Sequence, residues 1–144
     1  MGILRAITIV KPTVIEILRV HIQQEREAIK SGDVGARSYL LGDFHVCMVE
    51  AFGNRLLADI LRDLTARTVL ISALYQSTHD ASESCDEHEQ IMGLLATGNL
   101  DGAALLMTAH IGHVEAGLTK RIDNDPLLDL RQALRIPPGP NPPR

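Results

Sequence analysis

Residues 42–54, GDFHVCMVEAFGN, set the terms of the fold. Phe44, Met48, Val49 and Phe52 recur at helical spacing around one imidazole, His45, and the run stops at Gly53-Asn54. That period belongs to an α-helix, and a glycine followed by an asparagine is how one helix ends and the next is capped. A titratable ring on an apolar helix is most often a core histidine with its hydrogen bond satisfied. Whether His45 is more than that depends on what the rest of the chain brings near it.

Upstream, Val34, Tyr39 and Leu40 carry the same pattern back to Asp33, a good cap, and to Gly32, a stop. Before Gly32, Pro12-Thr13 opens a first helix marked by Val14, Ile17, Leu18, His21, Ile22, Ala28 and Ile29. Downstream, Leu56, Leu57, Ile60, Leu61, Leu64, Val69, Ile71 and Leu74 predict a third helix to about Ser77. The polar run Thr78 to Ser84 reads as a loop or lid, with Ser82 or Ser84 capping a fourth helix to Thr97. Gly98 ends that helix, Asn99 caps a fifth reaching about Ile122, and Asp125-Pro126 opens a short sixth. No alternating run bounded by a hairpin turn is present. The expected fold class is all-α, an antiparallel helical bundle of about six helices.

Composition agrees. The chain has 144 residues, enough for one domain with a real core, and its 3% aromatic content with no Trp favours helices packed through Leu, Ile, Val, Ala and Met. The expected division is an N-terminal remnant, 1–11, a helical domain, 12–135, and a disordered Pro-rich tail, IPPGPNPPR, 136–144. A net charge of −4 and no basic cluster beyond a pair argue against DNA binding by this chain unaided. Cys47 and Cys85 lack CxxC spacing, which fits a reducing compartment, and ILRAITIV is too short to span a bilayer. These features predict a cytoplasmic protein without membrane contact.

Measured from the caps Asp33 and Asn99, His45 lies roughly 18 Å and His110 roughly 17 Å down their helices, while His88 lies roughly 15 Å before the Gly98 turn. Three imidazoles at one depth in a bundle make the face of a first-row metal site. His113 can share a face with His110 or sit on the rim, and His21 and His79 read as surface or lid positions.

The run SGDVGARSYLLGDFHVCMVEAFGN, then DEHEQIMGLLATGN and LLMTAH, resembles the effector-binding FCD domain of GntR-superfamily transcriptional regulators, the FadR-like branch, over about residues 12–122. The resemblance implies a helical bundle, a homodimer in the full regulator, and a divalent metal, zinc or nickel, that helps bind a small carboxylate effector. It carries three metal-binding histidines over to His45, His88 and His110. The family's aspartate, four residues before the first histidine, is here Leu41. Asp43, a candidate ligand-binding residue, lies two residues from His45, a rotation of ~200° about the helix. Metal occupancy is then conditional on the effector's carboxylate, a water or another acid completing the shell. Arg67 is a candidate carboxylate clamp, or equally a surface partner of Asp63. No winged helix-turn-helix precedes Ile3, so DNA contact is expected only through such a missing domain.

Three functions remain distinct at this point. The first is a non-enzymatic sensor whose ligand shifts the helix arrangement of a dimer. The second is a structural dimerisation bundle without metal. The third is a metal hydrolase with three histidine ligands, which needs a general base beside an open coordination position.

Overall fold

The computed structural model describes residues 10–123, which form five α-helices and no strand among them. They are α1 (Pro12–Ser31), α2 (Val34–Ala51), α3 (Arg55–Tyr75), α4 (Thr78–Ala96) and α5 (Leu100–Asp123). The sixth helix expected from Asp125-Pro126, and nearly all of the expected remnant and tail, lie outside the described residues.

Three of the four junctions are built alike. Gly32, Gly53 and Gly98 take the left-handed φ values 73°, 87° and 76°, and an Asp or Asn follows each at once. Only glycine enters that region without steric cost, and it lets the following N–H fold back on the helix just ended. Asn54 N–H donates to Val49 O (3.2 Å) and Asn99 N–H to Leu94 O (2.9 Å). The Asx side chain then caps the next helix: Asp33 accepts from Ala36 N–H, Asn54 from Leu57 N–H and Asn99 from Gly102 N–H.

The fourth junction differs from the sequence expectation. Residues 78–84 are not a loop: α4 begins at Thr78, with Ser77 as its cap accepting from Asp80 N–H at 3.0 Å. Ala81, Ser84 and Cys85 are buried at helical spacing, so tertiary burial holds this polar segment helical. Arg37 ties the junction to α2, donating to Gln76 O and Thr78 Oγ1.

Short connections make successive helices neighbours, and the packing runs α3–α2–α1–α4–α5, with only a thin contact between α5 and α3. The core lies among α1, α2 and α4, from Val14, Leu18, Ile22, Leu41, Phe44, Ala81, Cys85, Ile91 and Leu95. At the edge, α3 buries only Ala58, while Leu56, Leu64, Leu70 and Leu74 are exposed. No described helix is long and apolar enough to cross a membrane.

Candidate metal centre and its cavity

His45 from α2, His88 from α4 and His110 from α5 meet, each offering one ring nitrogen, with those nitrogens within 4.8 Å of one another. His88 and His110 are fully buried and their Nε2 atoms are 3.0 Å apart. The His45 ring centroid is 5.4 Å from each of theirs. Phe44, beside His45 in sequence, points into the core and stacks on His88 at 3.9 Å and 9°. Consecutive residues on α2 thus do different work: one packs the back of the His88 ring, the other joins the cluster.

The outer side of His88 faces a carboxylate. Its Nδ1 is 2.9 Å and 3.0 Å from the two oxygens of Glu25, which is itself fully buried on α1. Burial pushes the Glu25 carboxyl up, but the facing His21 and His88 rings outweigh it and hold Glu25 below the usual carboxylate range. An ionised carboxylate has no proton to give, so His88 Nδ1–H is the donor.

Behind Glu25 stands His21, against the expectation of a surface or lid position: it is 7% exposed. Its Nε2 is 3.2 Å from Asp43 Oδ2, and its Nδ1 3.3 Å from Glu25 Oε1, the latter an ion-pair contact without hydrogen-bond alignment. Burial alone would lower its pKa, yet the two acids raise it to about 9, so His21 is a buried imidazolium at neutral pH. Asp43, Glu25 and the His21 cation form one chain of alternating charge ending on His88.

His45 and His110 are driven the other way. Burial, then the neighbouring His88, lowers each to about 4, with His45 adding to the effect on His110. Both are neutral at pH 7, the form that binds a metal. His110 Nδ1 has no aligned hydrogen bond; Glu87 lies 3.5 Å away and instead contacts His113 Nδ1 at 3.1 Å. His113 therefore stands on the exposed side of α5, and His79 pairs with Glu83 at the surface.

Nitrogens bound 2.0–2.1 Å from a tetrahedral ion lie roughly 3.3 Å apart, close to the 3.0 Å of the His88–His110 pair and inside the 4.8 Å within which all three nitrogens lie. The donor set fits a divalent first-row metal: three imidazoles, two of them neutral, converge, and one is oriented by a carboxylate. No described carboxylate belongs to the group; Leu41, one turn before His45, lines the space instead.

That space is a cavity of about 330 Å³ between α2, α3, α4 and α5. The three histidines form one part of its wall. Leu41, Ile111, Val114 and Leu118 supply apolar surface, and Ser38, Thr65, Thr68, Ser72 and Gln76 supply polar groups. Buried Ser38 Oγ and Gln76 Oε1 have no hydrogen-bond partner, which leaves two polar atoms ready for a guest. Arg67 is not on this wall. It is 74% exposed on α3 and pairs with Asp63 at 3.2 Å, because the cavity side of α3 is taken by Thr65, Thr68 and Ser72. Asp43 likewise turns away from the cluster, to His21.

Sequence reasoning missed Glu25, Arg37 and the burial of His21. The signal for the first and third was their place on the apolar stripe of α1, where His21 and Glu25 fall between Leu18, Ile22 and Ala28. Against known proteins, the chain matches the FCD domain family over residues 2–113. No curated protein and no solved structure matches it. With that match spanning more than half of the 144 residues and an all-helical fold beneath it, the chain belongs to the FCD domain family.

Proposed function

We propose that this is the effector-sensing domain of a GntR-type transcriptional regulator. In this reading His45, His88 and His110 hold a divalent metal, zinc or nickel, and the adjoining cavity receives a small carboxylate. The observation that carries it is the convergence of three imidazole nitrogens on the wall of a cavity of about 330 Å³.

When bound, the ion supplies a cationic anchor for an oxygen anion. Everything else falls to the chain. Among the described residues no Lys or Arg lines the cavity and no carboxylate joins the histidines, so the effector's own carboxylate is the natural fourth donor. Ser38, Ser72 and Gln76 are placed to bind polar groups further along the guest, and Leu41, Ile111 and Val114 shed water from its apolar part. The guest spans four helices, so binding it favours one helix arrangement over another, which in a homodimeric regulator alters the DNA-binding partner domain. The sensor reading is favoured over hydrolysis because the one carboxylate on the cavity wall among the described residues, Glu115, is on an exposed stretch of α5.

The test uses protein without a polyhistidine tag. Metal content is measured, and melting is followed with a panel of small carboxylates, with and without EDTA. A metal-dependent rise in melting temperature that further increases with one carboxylate, and that disappears in His88→Ala, is the expected result. Identical curves for both proteins in all conditions would remove the metal site.

A further inference from the structure

We infer that Glu25 is a positioning residue for the three-histidine centre, holding the His88 ring by its Nδ1–H and supplying, from one ring away, the negative charge the ligand set lacks. This rests on the metal reading above and adds to it a carboxylate on a helix that contributes no ligand.

The geometry comes first. A histidine can bind an ion only through a nitrogen that carries a lone pair, and its ring has two nitrogens to choose from. Glu25 settles the choice for His88: both oxygens lie within 3.0 Å of Nδ1, and Nε2 is left facing His110 and the cluster. Phe44 stacked on the ring face fixes the plane, and Glu25 fixes the rotation within it.

Charge is the second argument. Three neutral nitrogens leave a divalent ion uncompensated in a buried place, where an unmatched charge is costly. Among the described residues no acid is within the ligand group, and Leu41 occupies the neighbouring wall. Glu25, with both residue and side chain fully buried, is the acid in direct contact with a ring of the cluster on an aligned bond. The cost of burying it is met by two partners, His88 and His21, and the His21 cation is in turn held by Asp43 from α2. The chain Asp43–His21–Glu25 carries two negative charges and one positive. Its net negative charge is thus delivered at the back of His88.

The experiment is cobalt(II) binding to untagged, full-length chain, comparing wild type with Glu25→Gln. Gln keeps the size and an acceptor for Nδ1–H but removes the charge. Affinity is read by chelator competition, coordination by the visible d–d bands, and folding by circular dichroism. The expected result is a folded Glu25→Gln protein that binds cobalt about 10–100-fold more weakly, with altered d–d intensity. Equal affinity and an unchanged spectrum in a folded variant would overturn the role of Glu25 and leave the metal site standing. No cobalt binding by the wild type would instead overturn the metal reading, and this inference with it. If Glu25→Gln does not fold, the ¹⁵N shifts of the wild-type metal-free His88 ring decide: a protonated Nδ1 with a bare Nε2 supports the inference, and the opposite tautomer overturns it.

Discussion

His21 is the residue at which burial and charge are most directly opposed. Two acids outweigh its desolvation and raise its pKa to about 9, above the ordinary 6.5 of an unfolded chain. A raised folded pKa means that the proton stabilises the fold. The stabilisation is complete below pH 6.5 and is lost progressively as pH rises toward 9. Its size is on the order of 3 kcal/mol, appropriate to a side chain so little exposed. His21→Leu is therefore expected to cost about 3 kcal/mol near pH 6.5 in the metal-free protein, leaving Glu25 with one partner fewer. The deficit should shrink as pH approaches 9, where wild-type His21 gives up its proton. Urea unfolding of both proteins across that range measures it; a deficit independent of pH would show that shape, not charge, is what His21 contributes. The sequence held half of this in view. His21 falls on the helical stripe with Leu18 and Ile22, yet a histidine just ahead of Gln23, Gln24 and Glu25 reads as polar surface. Its partner Asp43 lies 22 positions away, and no local pattern brings them together.

At the scale of the element, junction chemistry decides what could be read. Gly-Asp and Gly-Asn mark three of the four helix joints, because a left-handed glycine and an Asx cap are both backbone requirements with a narrow choice of residue. Those joints were legible. The fourth, Gln76-Ser77, has no glycine, and the composition of residues 78–84 is that of a loop. Its helical state comes from Ala81, Ser84 and Cys85 packing among the other helices, and from Ser77, whose capping pattern with Asp80 was the available signal. The inward face of α2 was also misjudged: Tyr39 is exposed, while Arg37, Ser38 and Leu41 are buried. A helix packed against α1, α3 and α4 has no single polar face to orient it. Ser77→Ala tests the α4 start directly. It should lower stability by about 1 kcal/mol and speed amide exchange at Asp80 and Ala81. In a protein with a mobile lid at 78–84 the substitution would change neither.

For the molecule as a whole, the cluster and the cavity join different sets of helices. The histidines come from α2, α4 and α5, so a metal bound there links three elements, whereas the cavity wall also includes Thr65, Thr68 and Ser72 of α3. That helix buries one residue, the fewest of the five, and meets α5 only thinly, so it rests on α2 alone for most of its packing. Local opening follows such differences, because an element with few buried contacts opens at low free energy. Two ligands should accordingly protect different parts of the chain. Metal alone, at 100 times its dissociation constant, adds about 2.7 kcal/mol of stability and should slow hydrogen exchange in α2, α4 and α5 with little effect on α3. A small carboxylate added to the metal-loaded protein should extend protection to the stretch from Thr65 to Ser72. Exchange read by mass spectrometry on the apo, metal-loaded and doubly loaded protein resolves the three states. Protection of α3 by metal alone would mean that the cluster already closes the bundle, leaving the effector no element to order; protection of α3 that needs both makes that helix the moving part of the sensor.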